Sequence, residues 1–425
     1  MKILHISTLT EGGAANAAIR LHESMLKLGL DSNFLSLRHS KSKIPNHQVY
    51  DGTIISNQIE YPILSFKNLL KEKFFSEYAK KREEFQILEN KKLALETPQM
   101  IDGTLNFTLF SSPNSNYDLL SLSILKDVDI IHFHWVAGFL DYESFFSKNN
   151  LPILWTLHDE NPYLGGFHYE DDSINNQKTH GLKENEFIFQ KEKLLKNNKK
   201  VTIISPSNWV ADKARKSKVF AGKRVKMIRN TLNPKVFQHR DKNFSRDLFE
   251  LPKDKKIILV ASHDLSIPRK GIKYVEALFN NFDSEDFLFV FAGSNLCFSN
   301  SNVISVGTIS DEILMSCLYS AADYFLLPSL IDNLPNTLLE SLFCGTPVIA
   351  FKIGDFEEIF EGNDFGVLVD IGNIDELIDV LNKIKNGELN FNSFTISEKA
   401  NIFFSEKVVV KKYIKEYNYL LSLRD

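Results

Sequence analysis

The sequence predicts an α/β protein built from two doubly wound, Rossmann-like domains that face each other across a cleft. Its 425 residues are too many for one ordinary core. Short apolar runs alternate with longer helical patterns, which is typical of parallel sheets built from βαβ units. A turn-rich stretch at residues 230–234 separates two such series. We therefore expect an N-terminal domain over residues 1–234 and a C-terminal domain over residues 235–404.

The predicted strands form two groups. In the first half they cover residues 2–7, 129–134, 153–157 and 201–205. In the second half they cover residues 256–262, 287–292, 303–306, 323–327, 348–351 and 366–369. Residues 35–125 are the least legible part. Their clearest feature is an amphipathic stretch from Phe66 to Tyr78 with interleaved lysines.

The last segment, residues 405–425, predicts a terminal amphipathic helix. Its apolar side chains follow a mostly helical spacing: Val408, Val409, Tyr413, Tyr417 and Leu421. Such a face needs a host surface, and we expect the helix to cross back to the N-terminal domain.

The composition excludes several classes of partner and of site. A net charge of -4 gives no global field for nucleic acid, which we exclude as a partner. The three cysteines make no CxxC pair, so neither a disulfide framework nor a thiolate zinc site is expected. Because no stretch resembles a signal peptide or an 18-residue apolar span, we expect a cytoplasmic protein.

The loop after the first strand contains Gly12 and Gly13 and precedes a helical pattern. In open parallel sheets the ligand binds beyond the carboxyl ends of the strands. Two glycines allow close approach to a ligand, and a helix start favours an anion such as a pyrophosphate or a phosphorylated acceptor. A plain β-to-α turn is the alternative, since the loop matches neither GxGxxG nor a P-loop.

A second loop, residues 328–335, carries stronger evidence. A strand ends near Pro328, a helix begins near Asn336, and Gly345 ends that helix. The amides of Asn333, Leu334 and Thr337 would face the strand ends and suit a diphosphate. The carboxylates of Asp332 and Glu340 can accept hydrogen bonds from sugar and ribose hydroxyls. A capping or surface carboxylate pair is the weaker interpretation.

The segment from Asp332 to Glu340 resembles the E-x7-E region of glycosyltransferase family 4, a family of retaining enzymes with the GT-B fold. Further resemblances follow the family's order, and they include the glycine loop, the strand at residues 129–135, and the Arg269-Lys270-Gly271 turn. The stretch from Trp155 to Gly166 looks like the His-Asp loop of the subgroup that builds bacterial surface polysaccharides.

The resemblance implies a metal-independent glycosyltransferase of hexosyltransferase type that needs no cofactor. Its sugar donor would be UDP- or GDP-linked, and its acceptor a glycan or lipid-linked molecule in surface polysaccharide or lipopolysaccharide assembly. The implied catalytic residues are His158, Lys270 and Asp332. The implied residues for binding the sugar donor are Gly13, Arg269, Lys270, Asn333, Leu334, Asn336, Thr337 and Glu340. The implied acceptor-binding residues are Gly12, His134 and Asp159.

Two departures from the family pattern keep an alternative open. The first motif glutamate is Asp332 here, a shorter carboxylate. The arginine that family members often place a few residues before Lys270 is missing, and Arg269 replaces its charge only if that side chain turns inward. The alternative function is a non-catalytic GT-B-like protein that binds a nucleotide sugar or a glycan.

Two further patterns have competing interpretations. His132 and His134 share one face of a strand, so they suggest either the HxH of a metal hydrolase or, as we favour, a structural pair or cleft lining. The lysines around residues 66–78 suggest either a solvated helix face, which we favour, or a peripheral contact with the inner membrane surface.

Overall fold

The computed structural model describes residues 1–38, 43–53, 100–101, 104–105, 107–282, 285–295 and 301–423. The amphipathic stretch predicted from Phe66 to Tyr78, with the lysines considered for membrane contact, lies outside these residues. In the part of the chain that is described, no helix combines the length and apolarity needed to span a bilayer.

The first sheet consists of seven parallel strands. They are β1 (Lys2–Ser7), β2 (Asp31–Ser36), β3 (His47–Val49), β6 (Ile130–Phe133), β7 (Ile153–Thr156), β8 (Val201–Ser205) and β9 (Arg224–Met227). Their order across the sheet is β3-β2-β1-β6-β7-β8-β9. A separate antiparallel pair joins β4 (Met100–Ile101) and β5 (Thr104–Leu105). The four strands predicted in this half are present, whereas β2, β3 and β9 were not predicted.

Helices cover both faces of this sheet. They are α1 (Gly13–Lys27), α2 (Tyr142–Lys148), α3 (Glu170–Asn175), α4 (Gln177–Lys196) and α5 (Asn208–Lys216). Successive strand residues point to opposite faces. Ile131 and Ile153 therefore belong to one buried cluster, while Ile130 and Leu154 belong to another on the opposite face. Burial on both faces explains why the central strands are continuous apolar runs.

The second sheet has six parallel strands. They are β10 (Lys256–Asp264), β11 (Phe287–Ser294), β12 (Val303–Gly307), β13 (Tyr324–Leu327), β14 (Val348–Phe351) and β15 (Gly366–Val369). Their order is β12-β11-β10-β13-β14-β15. The helices of this half are α6 (Lys242–Leu248), α7 (Ile272–Asn281), α8 (Glu312–Ala321), α9 (Asn336–Phe343), α10 (Phe356–Phe360), α11 (Ile374–Lys385) and α12 (Ser393–Phe404). All six strands predicted here are present, so the predicted pair of doubly wound sheets is confirmed.

The terminal helix α13 (Glu406–Leu421) packs on the first sheet, as predicted. Its Val409, Tyr413 and Tyr417 are buried in the same cluster as Ile3 and Ile130. Val408 is the exception within the predicted apolar stripe, because it is 44% exposed. The last helix therefore completes the core of the N-terminal half.

The two crossings between the halves of the chain lie side by side. Leu232 and Ser405 form an isolated parallel β-bridge, and Thr231 Oγ1 donates to the carbonyl oxygen of Phe404 at 2.6 Å. The turn-rich stretch at residues 230–234 falls between the end of β9 and the start of α6. The domain boundaries at residues 234 and 404 remain predictions.

Candidate active site

The loop between β13 and α9 presents unpaired backbone amides at the edge of the second sheet. As expected from the sequence, α9 begins at Asn336. Among the described residues, the backbone N–H groups of Asn333, Leu334, Asn336 and Thr337 have no hydrogen-bond partner. The first amides of a helix lack partners within it, and the helix dipole adds positive potential there. This edge is therefore suited to an anion.

A second loop, between β10 and α7, is held against the first by Gly271. This residue has a φ of 72° and follows the short 3-10 helix Pro268–Lys270. A Cβ at Gly271 would lie 1.8 Å from the carbonyl oxygen of Pro328. The amide of Leu330 also donates to the carbonyl oxygen of Arg269 at 2.8 Å. Only glycine permits this approach, which places Arg269 and Lys270 beside the loop that leads into α9.

Lys270 and Arg269 both pair with Asp332. Lys270 Nζ lies 2.7 Å from Asp332 Oδ2, and Arg269 Nη1 lies 3.4 Å from Oδ1. Burial alone would raise the pKa of Asp332, but the charges of Lys270 and Arg269 hold that pKa below its usual value. Burial lowers the pKa of Lys270, and Asp332 opposes this shift. Lys270 and Arg269 thus place two cations beside the amide-lined edge.

Arg269 turns inward, which was the condition left open by the sequence. Its guanidinium carbon lies 4.7 Å from the ring centroid of Tyr169, a residue of the N-terminal half. Its side chain is 19% exposed, and Nε is buried without a hydrogen-bond partner among the described residues. A second positive charge therefore stands next to Lys270 although the upstream arginine is missing.

Two asparagines connect this edge to the N-terminal half. Asn333 Oδ1 accepts from Ser207 Oγ at 2.5 Å, and its Nδ2 donates to the carbonyl oxygen of Leu157 at 3.0 Å. Asn336 Nδ2 donates to the carbonyl oxygen of Gly13 at 2.7 Å. The loop before α9, the glycine loop and the strand end before His158 thus meet across one cleft.

Glu340, about one turn into α9, also faces the N-terminal half. Its Oε1 accepts from Arg20 Nη2 at 2.7 Å, and its Oε2 accepts from Tyr319 Oη at 3.0 Å. Arg20 extends from α1, is 6% exposed and forms a second ion pair with Glu312 at 2.7 Å. Arg20 was not predicted from the sequence, where its one signal is a charged side chain on the buried part of a helix otherwise rich in alanine.

The glycine loop leaves open space at the start of α1. Gly12 has a φ of 90°, and a Cβ placed on either Gly12 or Gly13 would meet no atom within 4 Å. The loop can therefore accommodate a ligand beside the amide-lined edge, which it touches through Asn336. The specific roles of both glycines remain predictions.

Asp159 fixes the loop that carries His158. Its Oδ2 accepts from Trp135 Nε1 at 2.8 Å and lies 2.6 Å from His168 Nδ1, while its Oδ1 accepts from the amide of Asn161 at 3.1 Å. The carboxylate is 8% exposed. Holding the loop is the role that these bonds support, and the predicted contact of Asp159 with an acceptor is an additional expectation.

His158 is half-buried and lines two small pockets. One of them, about 350 Å³ with its open mouth included, is also lined by His134, Trp135 and Asp159. Burial lowers the pKa of His158 to about 4, although the nearby charge of Asp159 opposes the shift. At neutral pH the imidazole is therefore uncharged, and it can form a hydrogen bond with a polar ligand.

His132 and His134 have structural hydrogen bonds. His132 Nδ1 lies 2.7 Å from Tyr417 Oη, and its Nε2 lies 2.8 Å from Thr156 Oγ1. His134 lies between His5 and His158. Within the described residues, His5, His132 and His134 have potential ligand atoms within 4.8 Å of one another. A metal would have to displace several of these bonds, so the arrangement favours the structural interpretation.

The structure brings the predicted residues to one cleft. The residues expected to bind the sugar donor surround the start of α9, and Gly13 and the His158 loop contact that region from the N-terminal half. The prediction lacked Arg20 and Tyr169, which reach the cleft from segments far away in sequence. No pattern around Tyr169 distinguishes it from an ordinary aromatic residue.

Comparison with known proteins agrees with this arrangement. Residues 241–400 match the family described as "Glycosyl transferases group 1". The chain is 23% identical to the putative colanic acid biosynthesis glycosyl transferase WcaC of Escherichia coli, over 99% of this chain and 100% of that protein.

Solved structures show the same fold. Sucrose-phosphate synthase from Thermosynechococcus elongatus superposes with a TM-score of 0.66 at 16% identity, covering 100% of both chains. Anabaena Alr3699/HepE in complex with UDP-glucose superposes with a TM-score of 0.60 at 16% identity, covering 99% of this chain and 100% of that one. Residues 241–400 therefore resemble the glycosyl transferases of group 1, and the two parallel sheets together with the solved structures show that the chain has a GT-B fold.

Proposed function

We propose that the protein is a retaining glycosyltransferase that moves a sugar from a nucleotide-sugar donor to a hydroxyl group of a glycan or lipid-linked acceptor. The observation that carries this proposal is the meeting of Lys270, Arg269 and the unpaired amides of α9 at one cleft. Such a group binds a diphosphate and stabilises the negative charge that develops when the diphosphate leaves.

The remaining cleft residues fit the other parts of a UDP- or GDP-linked sugar. Asp332 stands next to Lys270, where its carboxylate can accept hydrogen bonds from hydroxyls of the transferred sugar. We assign the ribose hydroxyls to Glu340, since an ionised carboxylate can accept more hydrogen bonds than the two that Glu340 makes with Arg20 and Tyr319. The complex of Alr3699/HepE with UDP-glucose supports a donor of this class.

In the proposed reaction, the nucleoside diphosphate is the leaving group, and two cations stabilise its charge. The bond between the anomeric carbon and the phosphate oxygen breaks, and the acceptor oxygen bonds to that carbon on the same face. The acceptor proton passes to the departing phosphate oxygen. Lys270 and Arg269 stabilise the diphosphate, so the proposal assigns no step to a metal ion or a cofactor.

The acceptor side is proposed from the N-terminal half. His158 lines a pocket at the cleft together with the more deeply buried His134, Asp159 holds the His158 loop, and we assign Gly12 to the acceptor as well. The relative named for colanic acid biosynthesis supports a role in surface polysaccharide or lipopolysaccharide assembly. We propose that the reaction takes place in the cytoplasm, where a lipid-linked acceptor would require peripheral contact with the inner membrane.

The first test is a thermal-shift screen of the purified protein with a panel of nucleotide sugars. A ligand that binds only the folded state at 100 times its Kd stabilises it by about 2.7 kcal/mol. We expect one base and sugar to raise the melting temperature, and that compound is then assayed for hydrolysis and transfer.

Matched variants separate an enzyme from a binding protein. Lys270→Ala and Glu340→Ala should abolish turnover, whereas Lys273→Ala, an exposed lysine three residues further along, should leave it unchanged. Binding without turnover by the wild-type protein would favour the non-catalytic alternative. Full turnover by Lys270→Ala would contradict the proposed diphosphate site.

A further inference from the structure

Three histidines form a continuous hydrogen-bonded chain that runs from the cleft into the first sheet. His158 Nε2 lies 3.0 Å from His134 Nδ1, and His134 Nε2 lies 2.9 Å from His5 Nδ1. His134 is 2% exposed and His5 is fully buried. The chain connects a residue at the candidate active site to a residue that no ligand can reach.

The two ends of this histidine chain differ in their hydrogen bonding. At the cleft, His158 Nδ1 has no hydrogen-bond partner among the described residues, and the half-buried ring borders both pockets. At the inner end, His5 Nε2 is buried and lacks a partner within the described part of the chain. A ligand can therefore complete the hydrogen bonding at the outer end only.

The residues around the histidine chain keep its three imidazole rings uncharged at physiological pH. His5 packs against the rings of His22 and His132 at 5.6 and 4.7 Å, and Asp159 is the carboxylate near the outer end. Burial lowers the pKa values of His5 and His134 well below the ordinary value, and the neighbouring histidines lower them further. Each ring in the chain then has one N–H group and one lone pair.

Only two proton arrangements satisfy both internal hydrogen bonds. In the first, each ring donates inwards from Nε2, which leaves a buried N–H of His5 without an acceptor. In the second, each ring donates outwards from Nδ1, which leaves only a lone pair of His5 without a donor. Buried N–H groups without partners are rarer in proteins than under-used acceptors, so the second arrangement is favoured.

We infer that His5 and His134 are positioning residues that hold His158 as the tautomer with its proton on Nδ1. His158 then presents its Nδ1–H group to the cleft. This group donates a hydrogen bond to a sugar oxygen, and it does not accept a proton from the acceptor hydroxyl. This inference rests on the proposed function for its chemical meaning, and it agrees with a reaction in which the departing phosphate takes that proton. The tautomer itself is a property of the unliganded protein.

Nitrogen NMR tests the tautomer directly. Long-range nitrogen–proton spectra of the full chain labelled with ¹⁵N-histidine distinguish a protonated ring nitrogen from one with a lone pair. We expect His158 Nδ1 and His134 Nδ1 to be protonated at pH 7.5, with both Nε2 atoms unprotonated. Protonated Nε2 atoms in these two residues would overturn the inference. Because this measurement needs no substrate, its outcome is independent of whether the protein transfers sugars.

Variants of His5 test the positioning role. In His5→Asn, the amide nitrogen takes the place of Nδ1 and can still donate to His134, whereas His5→Phe keeps a ring but removes the hydrogen bond. We expect His5→Phe to lower kcat about tenfold, the lower limit for loss of an orienting partner at metal sites, with little change in the donor KM. His5→Asn should restore most of kcat and the His158 tautomer.

His22, a buried histidine that is not part of the histidine chain, provides the control. His22 lies in the same cluster but bonds to Ser32 Oγ and the carbonyl oxygen of Pro45. If His22→Phe lowers kcat as much as His5→Phe does, or if His5→Phe leaves the His158 tautomer unchanged, the positioning role is wrong. Melting temperatures of all variants show whether a loss of kcat reflects unfolding.

Discussion

Gly271 shows how a single glycine joins the two loops of the candidate site. Its φ of 72° is unfavourable for other residues, and its missing Cβ makes room for the carbonyl oxygen of Pro328. Gly387 has a φ of 74° but no atom within 4 Å of a would-be Cβ. The pair therefore separates the conformational strain of a substitution from the steric clash.

We predict that Gly271→Ala destabilises the protein by at least about 3 kcal/mol and weakens binding of the sugar donor, because the loops around Lys270 and Asp332 must move apart. Gly387→Ala should cost about 1–2 kcal/mol from strain alone and leave binding of the sugar donor unchanged. Urea unfolding and a titration with the nucleotide sugar measure both effects. Equal losses in the two variants would show that the contact with Pro328 has no special importance.

From the sequence alone, the candidate site residues that lie close together along the chain could be identified. Asp332, Asn336 and Glu340 belong to one loop and helix, so their local spacing fixes their common location. Arg269 was recognised, but its inward orientation depends on Tyr169 from the other half of the chain. Arg20 was missed for the same reason, because its partners lie about 290 to 320 residues further on. Local pattern cannot predict contacts that form only when two domains meet.

The prediction found every strand of the second sheet and the central strands of the first sheet, but it missed β2, β3 and β9 towards the edges of the first sheet. The central strands β6, β7 and β8 are buried along their whole length, so they can be recognised in the sequence as apolar runs. The edge strands β3 and β9 are mostly half-buried or exposed, so their sequences carry no such run. β2 contains Asp31, Ser32 and Asn33, residues that are depleted in strands, and only tertiary packing makes it one.

Helix α4 supports the His158 loop through one carboxylate. Glu184 is 1% exposed, and its two oxygens accept from the backbone amides of Gly165, Gly166 and Phe167 at 2.7, 2.6 and 3.2 Å. Three amides in this loop therefore depend on a single side chain. The glycines are required as well, because a Cβ at Gly165 would lie 2.1 Å from the carbonyl oxygen of Glu184.

We predict that Glu184→Ala lowers the free energy of unfolding by about 3 kcal/mol and reduces kcat, because it leaves three buried N–H groups without acceptors and releases the loop that carries His158. Glu186→Ala, an exposed carboxylate two residues further along α4, should change neither quantity by more than about 0.5 kcal/mol. Urea unfolding and the transfer assay measure these outcomes. A Glu184→Ala protein with wild-type stability would show that the loop has other support.

On the scale of the whole molecule, polar contacts between the two halves cluster around the cleft. Asp355 accepts from the amides of Asn208 and Trp209 at the start of α5, and Arg229 pairs with Glu358 at 2.6 Å. These contacts continue those of Asn333, Asn336 and Arg20 with their partners in the opposite half. Polar and charged groups are a suitable choice for such an interface, because water can replace their bonds when the halves separate, as a sugar donor entering the cleft would require.

The buried histidines make the stability of the whole protein dependent on pH. Burial lowers the pKa values of His22 and His158 to about 4, and it lowers those of His5, His132 and His134 well below the ordinary value. In the unfolded chain these groups titrate near pH 6.5. Between pH 6.5 and about 4 the unfolded state therefore binds more protons than the folded state, so acidification favours unfolding.

We predict that the free energy of unfolding falls between pH 6.5 and pH 4, with each buried histidine contributing up to about 1.4 kcal/mol per pH unit. All three tryptophans, Trp135, Trp155 and Trp209, lie in the N-terminal half that contains the cluster. Urea unfolding followed by tryptophan fluorescence at pH 7.5, 6.5 and 5.5 therefore reports on it. His5→Phe should flatten the dependence by one histidine's share, while His263→Gln, at an exposed position, should not. If stability is the same at pH 7.5 and pH 5.5, the histidines are not held neutral by the fold, and the proton arrangement inferred for the chain from His5 to His158 loses its premise.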